Sequence, residues 1–234
     1  MKTMDKAQKM RKLFSHAPRE YDSLLSRLTL RSDSMWRRKV IEASELHKGS
    51  FILDVATGTG LMAFNFAHQL NEAMVVGIDI CEPMIRKAND HRRQNEEKPV
   101  EFVAGQAEAL PFVDGCFDCA TITLALRNVT DPKLVFQEMN RVVRPGGSVV
   151  SLDFSRPNVM VRPFYYFHIF CILPLIGRLV SKRWMEIFDY LARSIKRSLS
   201  PTSIGDLMRM VGLSRVTIRR LSVGIVTLVK GIKD

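Results

Sequence analysis

The segment from Asp54 to Gly60 constrains the fold of this chain more than any other. It begins within the run Phe51–Val55 (FILDV), which has the length of a buried strand, and it contains two glycines, Gly58 and Gly60. Two glycines at the end of a strand let the backbone turn tightly and approach a ligand with no side chain in between. The segment therefore predicts an open α/β sheet that binds a ligand at the carboxyl end of its first strand.

Short apolar runs alternate with amphipathic stretches through the region that follows. Further strands are predicted at Met74–Ile80, Val100–Ala104, Asp118–Leu124 and Ser148–Phe154. Helices are predicted at Ser34–Leu46, Leu61–Leu70, Pro83–Asn95 and Asp131–Val143. This alternation is typical of a parallel sheet that is covered by helices on both faces.

The C-terminal part of the chain breaks the alternation. After a helix predicted at Ser203–Val211, two β-rich runs, Val216–Leu221 and Gly224–Lys230, are separated by little more than a turn. Such a short connection permits only antiparallel pairing. The sequence therefore predicts a mostly parallel, seven-stranded sheet with an antiparallel C-terminal hairpin, which is the Rossmann-like α/β layout of class I methyltransferases.

One segment between the fifth strand and the closing elements does not fit this pattern. Asn158–Lys182 is dense in aromatic and aliphatic residues. Its uninterrupted apolar stretch is about fourteen residues, shorter than the roughly twenty that span a bilayer. We therefore predict an inserted helical cover, bounded by residues 158–200, rather than a membrane span.

Acidic side chains flank the glycine turn. Gly58 and Gly60, followed by Ala63, also satisfy the fingerprint of dinucleotide-binding proteins. However, the carboxylate of Asp54 opposes a pyrophosphate and suits the cationic amine of S-adenosylmethionine, while Asp79 at the end of the second strand is placed to accept both ribose hydroxyls. The antiparallel hairpin is also foreign to the dinucleotide fold. These features favour S-adenosylmethionine as the cofactor, with a purely structural glycine turn as the alternative.

Motifs along nearly the whole chain are similar to those of a known family. The matching stretches are FSHAPREYD (Phe14–Asp22), ILDVATGTG (Ile52–Gly60), AEALPF (Ala107–Phe112), FDCATITLALRNVTD (Phe117–Asp131), RVVRPGG (Arg141–Gly147), DFSRP (Asp153–Pro157), LPLIG (Leu173–Gly177) and YLARSI (Tyr190–Ile195). In these motifs and their order the chain resembles the ubiquinone/menaquinone biosynthesis C-methyltransferase family. The resemblance implies C-methylation of a polyprenylated quinol, a demethylmenaquinol or a ubiquinol precursor, with S-adenosylmethionine as methyl donor.

The resemblance also implies a set of cofactor contacts. With the residues of the glycine turn, the predicted cofactor site comprises Asp54, Gly58, Thr59, Gly60, Asp79, Gln106, Ala107 and Thr123. By the resemblance, Gln106 and Ala107 border the adenine, and Thr123 lies near the sulfonium. An ordinary strand position is the alternative for Thr123. Residues 1–48 are expected to form a helical segment over this site, with His16, Tyr21 and Asp22 in it, and residues 49–234 the methyltransferase domain.

Arg127 and Asn128 follow the fourth strand, beside the predicted position of the activated methyl group. A guanidinium holds its proton too firmly to act as a base. We therefore expect Arg127 to stabilise a developing phenolate, directly or through water, and Asn128 to orient the ring oxygen. The alternative is a structural arginine–aspartate pair that caps the loop, with Asp131 as the candidate partner.

Three positions depart from the family pattern. Leu61 replaces the acidic residue that follows the glycine turn, Asp33 stands near the place of a histidine before Trp36, and Thr57 replaces the first glycine. These changes leave two alternatives to quinol methylation open. One is a class I methyltransferase for another lipophilic small molecule, and the other is a non-catalytic protein that binds S-adenosylmethionine.

The distribution of charge suggests the surroundings in which the protein acts. Lysine and arginine exceed aspartate and glutamate by 35 − 24 = 11, and several basic residues flank Phe164–Leu175. This pattern predicts peripheral contact with an anionic membrane, at its cytoplasmic face because the N-terminus has no apolar signal core. The alternative is that the apolar segment only covers the core.

Two short sequence features bear on whether the protein binds nucleic acid or a metal. The fourth strand ends in Leu124–Asn128 (LALRN) instead of the Asn-Pro-Pro or Pro-Cys typical of base-modifying enzymes, so no nucleic acid is expected. Cys116 and Cys119 form a lone pair without a second pair at zinc spacing, so no metal is expected. A homodimer is left open.

Overall fold

The computed structural model describes residues 6–15, 26, 32–70, 72–94 and 99–234. Its helices are α1 (Lys6–Ser15), α2 (Ser32–Ser44), α3 (Leu61–Gln69), α4 (Glu82–Gln94), α5 (Pro132–Val142), α6 (Arg162–Val180), α7 (Lys182–Lys196) and α8 (Pro201–Met210). Its strands are β1 (Phe51–Val55), β2 (Met74–Asp79), β3 (Val100–Ala104), β4 (Phe117–Thr123), β5 (Val143–Phe154), β6 (Leu213–Leu221) and β7 (Val226–Lys233). Single 3-10 turns occupy Leu126–Asn128 and Ser222–Gly224.

The seven strands form one sheet in the order β3-β2-β1-β4-β5-β7-β6. Strands β1 to β5 pair in parallel, whereas β7 pairs antiparallel with both β5 and β6. The predicted fold class is thus confirmed. The strand order reverses between β1 and β4, so the carboxyl ends of these two strands flank the crevice in which open α/β sheets bind their ligands.

The sheet separates two apolar cores. On one face, side chains of α2, α3, α6 and α7 pack on it around Val40, Phe66 and Phe188. On the other face, α5 and α8 pack around Phe136 and Met208. Because both faces are covered, β1 and β4 are buried along most of their length without alternation between exposed and buried positions.

The predicted start of the fifth strand is wrong. Strand β5 begins at Val143 instead of Ser148, since Val143 already pairs with Phe117 of β4. The next pair is Ser148 with Cys119, so the residues Arg144–Gly147 of β5 correspond to the single residue Asp118 of β4, and Gly146 among them has a φ of +79°. The glycines that predicted a turn accommodate this irregular pairing.

The helical cover consists of α6 and α7. One stripe of α6, formed by Tyr165, Ile169, Leu173 and Gly177, is buried. Gly177 lets the two helices touch, because a Cβ there would lie 2.9 Å from the Cα of Met185. The spacing of four residues between the buried positions shows that α6 packs through a single face.

Helix α6 is also longer than its apolar stretch suggests. By length (19 residues) and composition, Arg162–Val180 could cross a membrane. Of its most apolar 18-residue stretch, 22% is buried in the protein. Single helices of this kind are weak evidence for a membrane span, because the core helix of a soluble protein can pass the same criteria.

The first helix crosses the carboxyl end of the sheet. The ammonium of Lys6 donates to the carbonyl of Val129 after β4, and the thiol of Cys81 after β2 approaches the carbonyl of Arg11 at 3.9 Å. The described part of residues 1–48 therefore contacts the loops that follow two strands. His16, Tyr21 and Asp22 lie outside the described residues.

Candidate active site

Asp54 ends β1 with its carboxylate enclosed. The residue is 1% exposed, and its two oxygens accept the hydroxyl groups of Thr57 at 2.6 Å and Thr121 at 3.1 Å. Burial raises the pKa of the Asp54 carboxyl to about 7, although both hydrogen bonds act to lower it. A carboxylate has about four acceptor sites, so Asp54 keeps capacity for a further hydrogen bond, and a cation placed beside it would stabilise its ionised form.

Thr57 has a larger role than a mild departure from a glycine pattern. It is buried, and its hydroxyl hydrogen bond holds one oxygen of Asp54 in place. Sequence reasoning missed this partnership, although the spacing of three residues across a turn is a usual one for such a bond.

The glycine turn also positions Asp79. The backbone N–H groups of Gly58 and Cys81 donate to different oxygens of the Asp79 carboxylate, at 2.9 and 2.8 Å. Burial raises the pKa of this carboxyl, and backbone hydrogen bonds from Cys81, Gly58 and Ile80 act against the rise. A carboxylate has about four acceptor sites, so Asp79 keeps capacity to accept a hydroxyl group of a ligand.

Gly60 closes the turn and begins α3. Its φ of +84° lies in the left-handed region, and a Cβ at this position would lie 2.5 Å from the ring of Phe102. Both facts require glycine. Gly60 itself does not line the cavity that is described next, so its contribution is to the turn.

A cavity of about 230 Å³ lies at the carboxyl ends of β1, β2 and β4. Most predicted site residues line it, namely Asp54, Gly58, Thr59, Asp79, Ala107, Thr123, Arg127 and Asn128. Its remaining walls include Met10 and Phe14 of α1, Arg37 of α2, and Leu61. Gln106 is exposed and outside the lining, although Gly105 and Ala107 on either side belong to it, so its contact with the cofactor stays a prediction.

The residues of this cavity fit S-adenosylmethionine. Asp54 would hold the cationic amine, Asp79 would accept the ribose hydroxyls, and Ala107 would border the adenine. The hydroxyl oxygen of Thr123 is buried and lacks a hydrogen-bond partner among the described residues. A buried polar atom in this state costs free energy, and a bound ligand with a polar group nearby would satisfy it.

Arg127 is held rigidly beside the predicted position of the methyl group. Its Nη1 donates to an oxygen of Asp153 at 2.6 Å and to the carbonyl of Leu124, and its Nε donates to the hydroxyl of Ser194 at 3.2 Å. The side chains of Arg127 and Asp153 are 7% and 3% exposed. The guanidinium also lies over the ring of Phe154, 5.0 Å from its centroid.

These contacts leave one part of the guanidinium free. A guanidinium has five N–H donors, of which the contacts above occupy three. No described residue accepts from Nη2, so its two N–H groups remain for a ligand. The alternative partner Asp131 is wrong, because its carboxylate caps α5 through the N–H groups of Lys133 and Leu134.

Asn128 is oriented by a tyrosine of the helical cover. The Tyr190 hydroxyl donates to Oδ1 of Asn128 at 2.8 Å. Burial raises the pKa of Tyr190, so this hydroxyl keeps its proton at neutral pH. No described residue accepts from Nδ2 of Asn128, so its two hydrogens remain for a ligand.

Three separated motifs thus meet at one place. Arg127 and Asn128 come from the loop after β4, Asp153 from the end of β5, and Tyr190 and Ser194 from α7. All three stretches belong to the motifs that resemble the family, and only the first contains residues with a role predicted from sequence. The only signal for the others was the presence of those motifs.

The fold, the acidic ends of β1 and β2, and the cavity between them define a class I S-adenosylmethionine-dependent methyltransferase. Among the described residues, no group of three or more histidine, cysteine, aspartate and glutamate side chains could hold a metal ion.

Comparisons with known proteins agree with this class. A methyltransferase of known structure from Aquifex aeolicus, described as SAM-dependent, superposes with a TM-score of 0.66 at 18% identity, over 99% of this chain and 100% of that one. The structure of phosphoethanolamine N-methyltransferase 2 of Haemonchus contortus with S-adenosyl-L-methionine superposes with a TM-score of 0.64 at 13% identity, over 85% of this chain and 52% of that one. At these identities the likeness concerns the fold.

Sequence comparison gives the family. The model of the ubiE/COQ5 methyltransferase family matches residues 2–233. The ubiquinone/menaquinone biosynthesis C-methyltransferase UbiE of Pseudomonas fluorescens (strain Pf0-1) is 36% identical over 231 residues, which cover 97% of this chain and 90% of that protein. The chain belongs to the ubiE/COQ5 methyltransferase family.

Proposed function

We propose that this enzyme methylates a ring carbon of a polyprenylated quinol, a demethylmenaquinol or a ubiquinol precursor, in the biosynthesis of a respiratory quinone. The observation that carries the proposal is the pair of free donors at the cavity, Nη2 of Arg127 and Nδ2 of Asn128. Two donors beside the methyl position suit an oxygen that gains negative charge during the reaction. Relatives named for quinone biosynthesis support the same substrate class.

The reaction needs an activated ring carbon and a stabilised oxygen. S-adenosylmethionine supplies the electrophilic methyl group. A ring carbon ortho to a hydroxyl becomes nucleophilic as that hydroxyl loses its proton, and the ring hydrogen leaves as a proton once the carbon–carbon bond has formed. Arg127 and Asn128 would donate hydrogen bonds to the resulting phenolate, whose charge grows before the methyl transfer.

The wall of the cavity bears on where the hydroxyl proton goes. Leu61 lines the cavity at the position where the family pattern has an acidic residue, so this side chain cannot accept the proton. Arg127 is already occupied by Asp153 and stays protonated. We infer that the donors of Arg127 and Asn128 lower the pKa of the ring hydroxyl enough for water to take its proton.

Turnover of a defined acceptor tests the proposed function. We expect the enzyme to transfer a labelled methyl group from S-adenosylmethionine to a demethylated naphthoquinol with a short isoprenyl tail, kept reduced with dithionite. Mass spectrometry of the product would place the methyl group on a ring carbon, with an O-methylating control enzyme as the reference.

The outcome separates the three candidate functions. Binding of S-adenosylmethionine with no turnover of naphthoquinol or benzoquinol acceptors would favour another lipophilic substrate. If membrane extracts from a quinone-deficient strain also gave no methylated product, the non-catalytic alternative would be favoured. An O-methyl product would contradict the proposal as well.

We propose further that the exposed face of α6 rests on an anionic membrane, from which the lipid-tailed substrate is drawn. Opposite its buried stripe, α6 exposes Phe164 (75%), Phe167 (61%), Leu175 (56%) and Leu179 (80%). Large apolar side chains exposed together mark an interaction surface. Arg178, Lys182 and Arg183 are exposed beside Leu179, and no described carboxylate pairs with them, so the apolar face is bordered by free cations.

This arrangement favours a lipid surface over a protein partner. Apolar side chains enter the acyl region while lysine and arginine side chains reach the anionic headgroups. The opposite face of α6 is already occupied by the protein core, so we infer that the helix lies along the surface instead of crossing the membrane. Location at the cytoplasmic face, the lack of a nucleic-acid partner and a homodimer stay predictions.

Vesicle binding tests this surface. We expect Phe164→Ser/Leu179→Ser to weaken binding to vesicles of phosphatidylglycerol and phosphatidylcholine by at least about 10-fold, because each inserted side chain contributes roughly 1.5–3 kcal/mol. Met210→Ser is the matched control, since Met210 is 68% exposed on α8, away from this face. Sedimentation with vesicles measures the effect, and equal binding of the double variant and the wild type would contradict the membrane proposal.

A further inference from the structure

A second arginine lies in the wall of the active-site cavity. Arg37 of α2 lines the cavity that also contains Arg127 and Asn128, and its side chain is 14% exposed. Arg37 lies outside the glycine turn and outside the motifs that resemble the family. An arginine withdrawn from solvent at the edge of a substrate cavity requires a physical reason.

The hydrogen bonds of Arg37 are incomplete. Its Nη2 donates to Asp33 at 2.7 Å, and no described residue accepts from Nε or Nη1. The Nε atom is buried, so water does not satisfy it either. Nη1 is not enclosed in this way, so an oxygen of a ligand in the cavity can accept a hydrogen bond from it.

The charge of Arg37 is already balanced. The Asp33 side chain is 7% exposed, and it accepts the hydroxyl of Ser26 at 3.1 Å in addition to the guanidinium. A second carboxylate on the ligand would have to compete with Asp33 for the same cation. A neutral oxygen, such as a phenol hydroxyl or a methoxy group, has no such conflict. The pair therefore selects a neutral acceptor group.

A chain of aromatic contacts fixes Arg37 relative to Arg127. Trp36, the neighbour of Arg37, donates a hydrogen bond from its indole N–H to the hydroxyl of Ser222 at 2.8 Å. Its ring packs edge-on against the ring of Phe154, with the two ring centroids 6.2 Å apart. The same Phe154 ring lies under the guanidinium of Arg127. The two arginines are thus held on one packed framework, which can set the separation between two oxygens of a bound ring.

We propose that Arg37 is a specificity-determining residue that donates a hydrogen bond to a second, neutral oxygen of the acceptor ring, while Arg127 and Asn128 bind the oxygen ortho to the methylated carbon. The inference rests on the proposed function and narrows its substrate class. The acceptor carries at least two oxygen substituents on its ring system and no carboxylate near Arg37. A quinol meets this description.

Kinetics of three variants test the role of Arg37. We expect Arg37→Met to raise KM for the short-tailed demethylnaphthoquinol by at least about 10-fold, because its ring oxygen loses its donor. The Kd for S-adenosylmethionine should stay within a factor of two. Arg37→Lys can still pair with Asp33 but lacks the planar fork that serves two acceptors, so it should restore the melting temperature without restoring KM. Arg38→Met is the control, since Arg38 is the exposed neighbour on the same helix.

A change of specificity gives an independent measurement. Asp33→Asn leaves the cation of Arg37 without its counter-charge. The ratio of kcat/KM for a naphthoquinol bearing a ring carboxylate to kcat/KM for the unsubstituted compound should therefore be at least about 10-fold higher in this variant than in the wild type. The wild type should prefer the unsubstituted compound.

The outcomes separate this inference from the proposed function. If the wild type methylates the quinol while Arg37→Met leaves the KM for the quinol unchanged, the assignment of Arg37 is wrong and the function stands. The same conclusion follows if KM rises only in those variants whose melting temperature falls. If the wild type neither binds nor methylates the quinol, both are wrong.

Discussion

Replacing Arg127 with lysine should lower kcat by about 100- to 1,000-fold, the usual effect of removing a donor to a developing oxyanion. Lysine keeps a positive charge beside Asp153, but its single nitrogen cannot bind Asp153, Leu124 and Ser194 and also present two N–H groups to the substrate. The Kd for S-adenosylmethionine should stay within a factor of two, because the predicted cofactor contacts come from other residues. Single-turnover kinetics with saturating cofactor measure the change.

Lysine is preferable to alanine as the replacement. Asp153 is almost fully buried, so removing its only described counter-charge would leave an unpaired carboxylate inside the protein. Such a change destabilises proteins by roughly 3–5 kcal/mol. A loss of activity in Arg127→Ala would therefore report on folding as much as on catalysis.

Arg141→Lys serves as the control. Arg141 forms ion pairs with Asp114 and Glu138 and does not line the cavity. It should lose stability but keep its kcat. If Arg127→Lys keeps the wild-type kcat, or loses only in proportion to its stability, the pair of Arg127 and Asp153 is structural, and the proposed stabilisation of the phenolate is wrong.

The grouping of the candidate cofactor residues at one cavity could be predicted from sequence to a large extent because its signals are local. A buried strand, a glycine turn and carboxylates at two strand ends lie within a short stretch, and the topology of a parallel sheet brings those ends together. Asp54 and Asp79 accordingly lie where the pattern indicates. Gln106 shows the limit of this reasoning, since adjacent residues of a loop can face the cavity or the solvent.

The substrate side could not be predicted in the same way. The partners of Arg127 come from positions 26 and 67 residues further along the chain, and the choice between Asp131 and Asp153 depends on tertiary packing. Local reasoning offered Asp131 as the candidate partner because it is near in sequence. The structure gives that residue the ordinary role of a helix cap.

The orientation of α6 was beyond sequence patterns for another reason. This helix is apolar around most of its circumference, so periodicity does not show which stripe is buried. The structure selects the stripe that contains Gly177, because only glycine allows the close approach to α7. The exposed face then follows by elimination.

The second prediction concerns the proton of Asp54. Because the pKa of this carboxyl is about 7, we expect S-adenosylmethionine to bind about 10-fold more tightly at pH 8 than at pH 6. The carboxyl is mostly neutral at pH 6 and mostly ionised at pH 8, and only the ionised form attracts the cationic amine. At pH 6, binding should therefore release a proton, which calorimetry in buffers of different ionisation enthalpy would detect.

The stability of the ligand-free protein should change in the opposite direction. A carboxyl whose pKa is raised by folding binds its proton more tightly in the folded state, so its contribution to stability is present at low pH and is lost as the pH rises through about 7. Asp54→Asn should remove both effects. At pH 8, where the wild type carries a buried charge, the variant should melt at a higher temperature and bind S-adenosylmethionine at least about 10-fold more weakly.

Asp118→Asn separates this effect from a general loss of acidic charge. Asp118 accepts the backbone N–H of Phe51 at 2.6 Å at the start of β1, the opposite end of the strand from Asp54. The variant should keep the pH dependence of cofactor binding, because it leaves Asp54 untouched. If Asp54→Asn retained the wild-type dependence, the titrating group would lie elsewhere, and the amine of the cofactor would have to be placed against a different side chain.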